Sequence, residues 1–246
     1  MRGGGVDSLR LDLTSIRRIK DAPKISCIKR IEQAMDHAFW HQKWEENNIP
    51  FHEGRVNAQL LKNFHRLSLN RGDRVFVPLC GKTTDLDWLV AQGCHVVGIE
   101  LNQSAVEEVF ARMGAQPEIS TSGDHRHYKS ETIELFVGDV FGLSADMLGP
   151  VDAVYDRAAL VALPAPMRAS YAEHLTAVTQ AAPQLLITFE YEQAQMKGPP
   201  FSVTGAEIRK LYGDRYRPER VSSVAITGSL AERCSGTENA WLLEPI

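Results

Sequence analysis

The sequence predicts an α/β fold: a mostly parallel sheet, helices on both faces, and an antiparallel C-terminal edge. Three observations lead there. From residue 56 onward, short β-type apolar runs alternate with segments of helical periodicity. The central runs are apolar throughout rather than alternating, as in a sheet covered on both faces. Chemistry-bearing residues recur just after successive strands, where such sheets bind ligands.

The elements follow in order. Leu60, Leu61, Phe64 and Leu67 recur at helical spacing. "RVFVPL" (74–79) reads as a short buried strand. "TDLDWLVAQG" follows as a helix, with Leu86, Leu89 and Val90 on one face and Gly93 as its stop. "CHVVGIE" (94–100) is a second strand. Ser104 and Glu107 suggest a capping box for a helix running to Met113. "TIELFVGD" (132–139) and "VDAVYD" (151–156) are the third and fourth strands. The helix "PMRASYAEHLTAVTQAA" sets Met167, Tyr171, Leu175 and Val178 in register. "QLLITFEY" (184–191) is a fifth strand. A helix near 205–212 and weaker strands near 216–225 and 239–244 close the chain. Right-handed βαβ units make the first five strands parallel.

Composition bounds the function. The chain has 246 residues, 43% hydrophobic and 24% charged, which suits a soluble globular protein of one large domain, or one domain with an appendage. The apolar runs are too short to span a bilayer, and no secretion signal is evident, so a cytoplasmic location is expected. The net charge of −4 argues against a nucleic-acid field. Residues 1–34 carry eight Lys/Arg and four Asp/Glu ahead of an acidic body. A basic arm can bind polyanions or membrane, but a poorly ordered extension is the simpler expectation. Cys27, Cys80, Cys94 and Cys234 form no CxxC pair and have no close His partner, so neither metal nor disulfides are expected.

"VFVPLCGKTTD" (75–85) ends its strand in Gly81-Lys82-Thr83, as a phosphate loop would. A Walker loop needs a glycine five positions before Gly81, and Phe76 stands there, inside the strand. Lys82 and Thr83 therefore read as the start of the next helix. A dinucleotide fingerprint fails too: of its glycines only Gly81 is present. Its acid is kept, because Glu100 ends the second strand twenty residues after Cys80. An acid without the glycines favours an adenosine cofactor with no phosphate, and S-adenosyl-L-methionine is one. Its ribose would sit on Glu100, its methionine end over Leu79-Cys80-Gly81, and its adenine near Asp139 and the Val140 N–H. Glu100 alone is equally compatible with a solvated strand-end acid, and Asp139 with a turn residue. Their placement at successive strand ends favours the cofactor.

"FWHQKW", "PFH", "VPLCGK", "DLDWLVAQG", "VVGIELNQSAVEE", "YDRAALVALP", "MRASYAEHL" and "GPPF" together resemble the thiopurine S-methyltransferase family, from about Met35 to the C-terminus. The resemblance implies the Rossmann-like class I methyltransferase fold and methyl transfer from S-adenosyl-L-methionine to sulfur. The implied acceptors are small aromatic and heterocyclic thiols, with selenium and tellurium compounds for bacterial members. It implies cofactor contacts at Trp44, Leu79, Glu100 and Arg157, with Trp40 in the same N-terminal segment and Asp139-Val140 on the adenine side. It implies Phe51 at the acceptor pocket and Arg157 at the junction of cofactor and acceptor. Taken alone, Trp40, Trp44 and Phe51 could be packing aromatics, and Arg157 could pair with Asp156 or a surface acid.

Two departures stand out. About 34 residues precede Met35, where a bacterial member would begin, so residues 1–34 read as a misassigned start or a dispensable arm before a single domain, 35–246. Near the C-terminus the loop is shorter, and Arg233 is the candidate for an acceptor-side arginine. Arg157 is the expected catalytic residue, holding the acceptor as an anion; no dedicated base is needed because an aromatic thiol ionises near neutrality. "GPPF" loosely resembles the Asn/Asp-Pro-Pro-aromatic motif of nucleic-acid amino methyltransferases, but it follows the fifth strand and lacks the acceptor side chain. Pro199, Pro200 and Phe201 read instead as an acceptor-pocket wall or plain loop packing. The remaining alternatives are a methyltransferase for another small molecule, or a non-catalytic tellurite-resistance accessory that binds the cofactor. A monomer is expected.

Overall fold

A computed structural model describes residues 54–246. Nine strands form one mixed sheet: β1 (Arg74–Val77), β2 (His95–Glu100), β3 (Glu118–Ser122), β4 (His125–Lys129), β5 (Ile133–Val137), β6 (Ala153–Arg157), β7 (Gln184–Tyr191), β8 (Tyr216–Ala225) and β9 (Gly236–Pro245). Their spatial order is β3-β4-β5-β2-β1-β6-β7-β9-β8. The five central strands are parallel, with Val75 beside Val96 on one side and Ala153 on the other. The chain leaves β1 toward β2 and later returns to β1's other side with β6. The strand order therefore reverses between β1 and β6, which is the switch point where such sheets bind ligands.

The helices are α1 (Ala58–Asn63), α2 (Asp85–Ala91), α3 (Gln103–Met113), α4 (Ala145–Leu148), α5 (Ala165–Val178) and α6 (Gly205–Tyr212). Two cores explain why the central strands are apolar on both faces. On one face Val75, Val77, Val96 and Ile187 meet Leu60, Leu86, Leu89, Val106 and Val109 of α1, α2 and α3. On the other, Phe76, Val97, Val154 and Leu186 meet Tyr171, Leu175, Ile208 and Tyr212 of α5 and α6. Truncating any one of these buried leucines to alanine would cost about 2–5 kcal/mol. The doubly wound α/β expectation is borne out, and the C-terminal edge, β9 and β8, is antiparallel as expected.

Three details differ from the sequence reading. The opposite edge is also antiparallel, because β3 and β4 form a hairpin added beside β5. β3 is solvent-facing along almost its whole length, so it carries no apolar alternation to read. A signal did exist in its turn, Gly123-Asp124, where Gly123 takes a φ of 57°. Second, the cap of α3 is Asn102, whose side chain accepts from the Ala105 N–H, and not Ser104 with Glu107. Glu107 instead accepts from Gln103 and from the Tyr128 hydroxyl. Third, Lys82 and Thr83 precede the helix rather than start it. α2 begins at Asp85, whose N–H bonds the Thr83 hydroxyl.

Candidate functional site

β1 ends at Val77, and Leu79 two residues later takes a φ of 46°. A left-handed leucine costs free energy and persists only where its surroundings hold it. Here the Cys80 N–H bonds the Ile99 carbonyl at 3.0 Å, and the Gly81 N–H bonds Glu100 Oε2 at 2.9 Å. The turn after β1 is thus tied to the end of β2 by consecutive amides. Glu100 Oε1 accepts from the Asn102 N–H at 2.9 Å, which aligns the carboxylate with the start of α3. Glu100 is 7% exposed. Burial pushes its carboxyl up, opposed by the N–H groups of Asn102, Gly81 and Leu101. No cation is among these influences. A carboxylate has about four acceptor positions, and the hydrogen bonds from Gly81 and Asn102 leave capacity for the hydroxyls of a ribose.

Gly81 therefore serves by fixing Glu100. Lys82 pairs with Glu108 on α3 at 2.6 Å, a partner that suits a helix-anchoring cation rather than a phosphate ligand. Arg112 on α3 donates to the Lys82 and Thr83 carbonyls, pinning the same turn from outside.

Asp139 and Val140 follow β5 on the same side of the sheet. Asp139 Oδ1 accepts from the Phe141 N–H and caps a short 3₁₀ turn. Two histidines that sequence reasoning missed hold this pair. His125 Nε2 donates to the Asp139 carbonyl at 2.9 Å, and His174 Nε2 to the Val140 carbonyl at 2.8 Å. His125 comes from the unforeseen hairpin and is buried. A side chain on Gly138 would collide with its imidazole, so that glycine is required by close approach.

Across the switch point, Arg157 is the last residue of β6 and is half-buried. Ala158 then takes a φ of 64°. The turn is braced from beneath by Asp156, which is fully buried. Asp156 Oδ1 accepts from the Leu160 N–H at 3.1 Å, and Oδ2 from the Tyr171 hydroxyl at 2.7 Å. Burial pushes this carboxyl up to about 6, against the hydrogen bonds from Tyr171, Leu160 and Ala159.

The "GPPF" segment packs on this turn. The Phe201 N–H bonds the Val161 carbonyl at 2.7 Å, and the Tyr191 hydroxyl bonds the Pro200 carbonyl at 2.6 Å. Arg168, buried on α5, lies 5.6 Å from the Phe201 ring centroid and donates to Leu163, Ser202 and Glu207. A third loop closes the same side. Gln195 Oε1 accepts from the Ser235 N–H, and Tyr191, Met196, Ile226 and Cys234 form a small apolar cluster there. Arg233 is exposed in that loop. Trp40, Trp44 and Phe51 lie outside the described residues, as does Cys27. Cys80, Cys94 and Cys234 are free and buried, and among the described residues no His/Cys/Asp/Glu group could hold a metal.

The donor set fits S-adenosyl-L-methionine: a buried carboxylate with spare acceptor capacity, a backbone turn of small footprint, and an aspartate–valine pair at the next strand end. The thiopurine S-methyltransferase family profile matches residues 35–240. A thiopurine S-methyltransferase of Xanthobacter autotrophicus is 51% identical over 211 residues, covering 85% of this chain and 99% of that protein. One from Teredinibacter turnerae is 46% identical over 209 residues, covering 85% and 97%. In fold, the chain is similar to a magnesium protoporphyrin IX methyltransferase from Synechocystis with S-adenosylhomocysteine bound. That TM-score is 0.56 at 14% identity, over 85% of this chain and 99% of that one. A methyltransferase from Burkholderia thailandensis, acting at N1 of 1,6-didemethyltoxoflavin, gives 0.54 at 14% identity, over 97% and 93%. The chain belongs to the thiopurine S-methyltransferase family and is an S-adenosyl-L-methionine-dependent methyltransferase of the class I fold.

Proposed function

We propose that this enzyme methylates the sulfur of small aromatic or heterocyclic thiols, thiopurines among them, and that selenium and tellurium compounds are further acceptors. One observation carries the reading: two left-handed turns, at Leu79 and Ala158, end the adjacent strands β1 and β6. One leads to the Glu100 carboxylate and the other carries Arg157.

When bound, S-adenosyl-L-methionine supplies a methyl group activated by its sulfonium. In this proposal Glu100 binds the ribose, Leu79 and Gly81 form the floor under the methionine part, and Asp139 with the Val140 N–H reads the adenine. The family resemblance assigns Trp44 and Trp40 to the cofactor and Phe51 to the acceptor. Arg157 holds the acceptor as a thiolate in line with the methyl group, so that one C–S bond forms as the other breaks. The thiol proton leaves to solvent before transfer. Pro199, Pro200 and Phe201 wall the acceptor side, with Arg233 in the loop beyond.

We also propose that residues 35–246 are the catalytic domain, that residues 1–34 are an extension, and that the enzyme works as a cytoplasmic monomer. Three buried, free thiols suit a reducing compartment. Among the described residues no helix is long and apolar enough to cross a membrane. The net charge of −4 disfavours nucleic acid as substrate.

A side-by-side acceptor panel with labelled cofactor tests the reading. Labelled thioether from an aromatic thiol is the expected result. Transfer only to oxygen or nitrogen acceptors would instead point to another small-molecule methyltransferase. Cofactor binding without transfer to any thiol, selenol or tellurium oxyanion would point to a non-catalytic accessory.

A further inference from the structure

We propose that Asp156 is a positioning residue for methyl transfer, its buried carboxylate bracing the turn that presents Arg157 to the acceptor. The inference rests on the thiol-methylation reading above. Its basis is geometric. Asp156 and Leu160 bracket the turn, and the carboxylate closes it by accepting the Leu160 N–H. Within the bracket, Ala158 is held at a φ of 64°, a conformation an alanine leaves readily unless both ends are fixed. The second oxygen accepts from Tyr171 of α5, so the turn is tied to the helix packed under it.

An asparagine would fit the same space and keep the Leu160 bond, but its amide would donate to the Tyr171 oxygen and leave the Tyr171 O–H without its present acceptor. It would also avoid burying a charge among apolar groups, which is unfavourable. The surroundings do nothing to relieve that charge through a cation of α5 or α6. The groups facing it are the hydroxyls of Tyr171 and Tyr212 and the N–H groups of Ala159 and Leu160. The Tyr212 hydroxyl is buried without a hydrogen-bond partner, so the pocket is not optimised for stability. Arg157, next in the chain, is the residue whose backbone the braced turn holds.

Asp156→Asn separates charge from shape. In the full chain, relief of the buried charge and loss of the Tyr171 acceptor oppose each other, so the variant should melt within about 3 °C of wild type. By calorimetry it should bind S-adenosyl-L-methionine within about threefold of wild type. Its kcat with an aromatic thiol should fall by about tenfold or more, the scale expected when a reacting group is displaced by a fraction of an ångström. Its affinity for the thiolate, measured in the unreactive complex with S-adenosylhomocysteine, should fall in parallel. Tyr171→Phe, which keeps the charge and removes one tie, should lose about threefold in kcat. Wild-type kcat and wild-type thiolate affinity in Asp156→Asn would overturn the inference. So would losses that track a lowered melting temperature or a weakened cofactor, since those mark a structural role. Wild-type inactivity toward every thiol would overturn the function reading and this inference together, whereas an active wild type matched by Asp156→Asn overturns this inference alone.

Discussion

The two ends of the parallel sheet treat their buried carboxylates in opposite ways. At the end where the central strands begin, Glu134 of β5 is 6% exposed and surrounded by cationic or basic groups. Arg74 lies 2.9 Å away, His95 2.8 Å, His127 3.1 Å and Lys129 3.4 Å. Burial alone would raise its pKa, but the bonds from Arg74 and His95 dominate and bring it down to about 2. At the end where the strands finish, Glu100 and Asp156 are as deeply buried, are answered among the described residues by N–H and O–H groups alone, and are pushed up. One end is arranged for stability. The other keeps charges that folding does not favour, which is how ligand sites are commonly built.

The largest expected effect breaks the stabilising end. Glu134→Gln should cost about 3 kcal/mol at pH 7, lowering the melting temperature by roughly 6–12 °C. The sign with pH is fixed by the direction of the shift. The folded pKa of about 2 lies below the ordinary 4.5, so the contribution is complete above about 4.5 and is lost as pH falls toward 2. Thermal melts of the variant and wild type should therefore converge in acid. Asp156 carries the opposite sign. Its folded pKa of about 6 lies above 3.8, so its contribution favours folding below 3.8 and is lost as pH rises through 6.

Next, Glu100→Ala should weaken S-adenosyl-L-methionine binding about 100-fold, the loss of two hydrogen bonds to a charged acceptor. Calorimetry showing unchanged affinity would remove the ribose assignment and with it the contrast between the ends. Arg157→Ala should then lower kcat by about 30-fold while cofactor affinity stays within about threefold, a split readable from turnover and calorimetry together. A larger effect on the cofactor than on turnover would move Arg157 out of the acceptor side. The smallest effect belongs to the extension. Removing residues 1–34 should change kcat by less than about twofold, because such terminal arms tolerate change.

How much of this was legible follows from the range of the interactions. Leu79, Gly81 and Glu100 can be proposed for the cofactor from sequence because a strand, a tight turn and a strand-end acid are local patterns about twenty residues long. The eight family motifs nominate Arg157 in the same way. The hairpin Glu118–Lys129 was passed over because an exposed edge strand has no buried face to impose alternation. With it went His125, whose contact with Asp139 spans 14 residues, and His174 spans 34 to reach Val140. The cap of α3 was misplaced by two residues because Asn102 and Ser104 are equally good capping types, and only the backbone angles choose.

By itself, then, the sequence determined the strand–helix alternation, the doubly wound sheet, the acid at the end of β2 and the family, because periodicity and short motifs are properties of neighbouring residues. Only the tertiary structure decided which buried charges have partners. Glu134, Glu100 and Asp156 are all strand carboxylates in the sequence. What separates them is whether Arg74 and His95, from other strands, or only hydroxyl and N–H groups come within hydrogen-bond reach after the chain has folded.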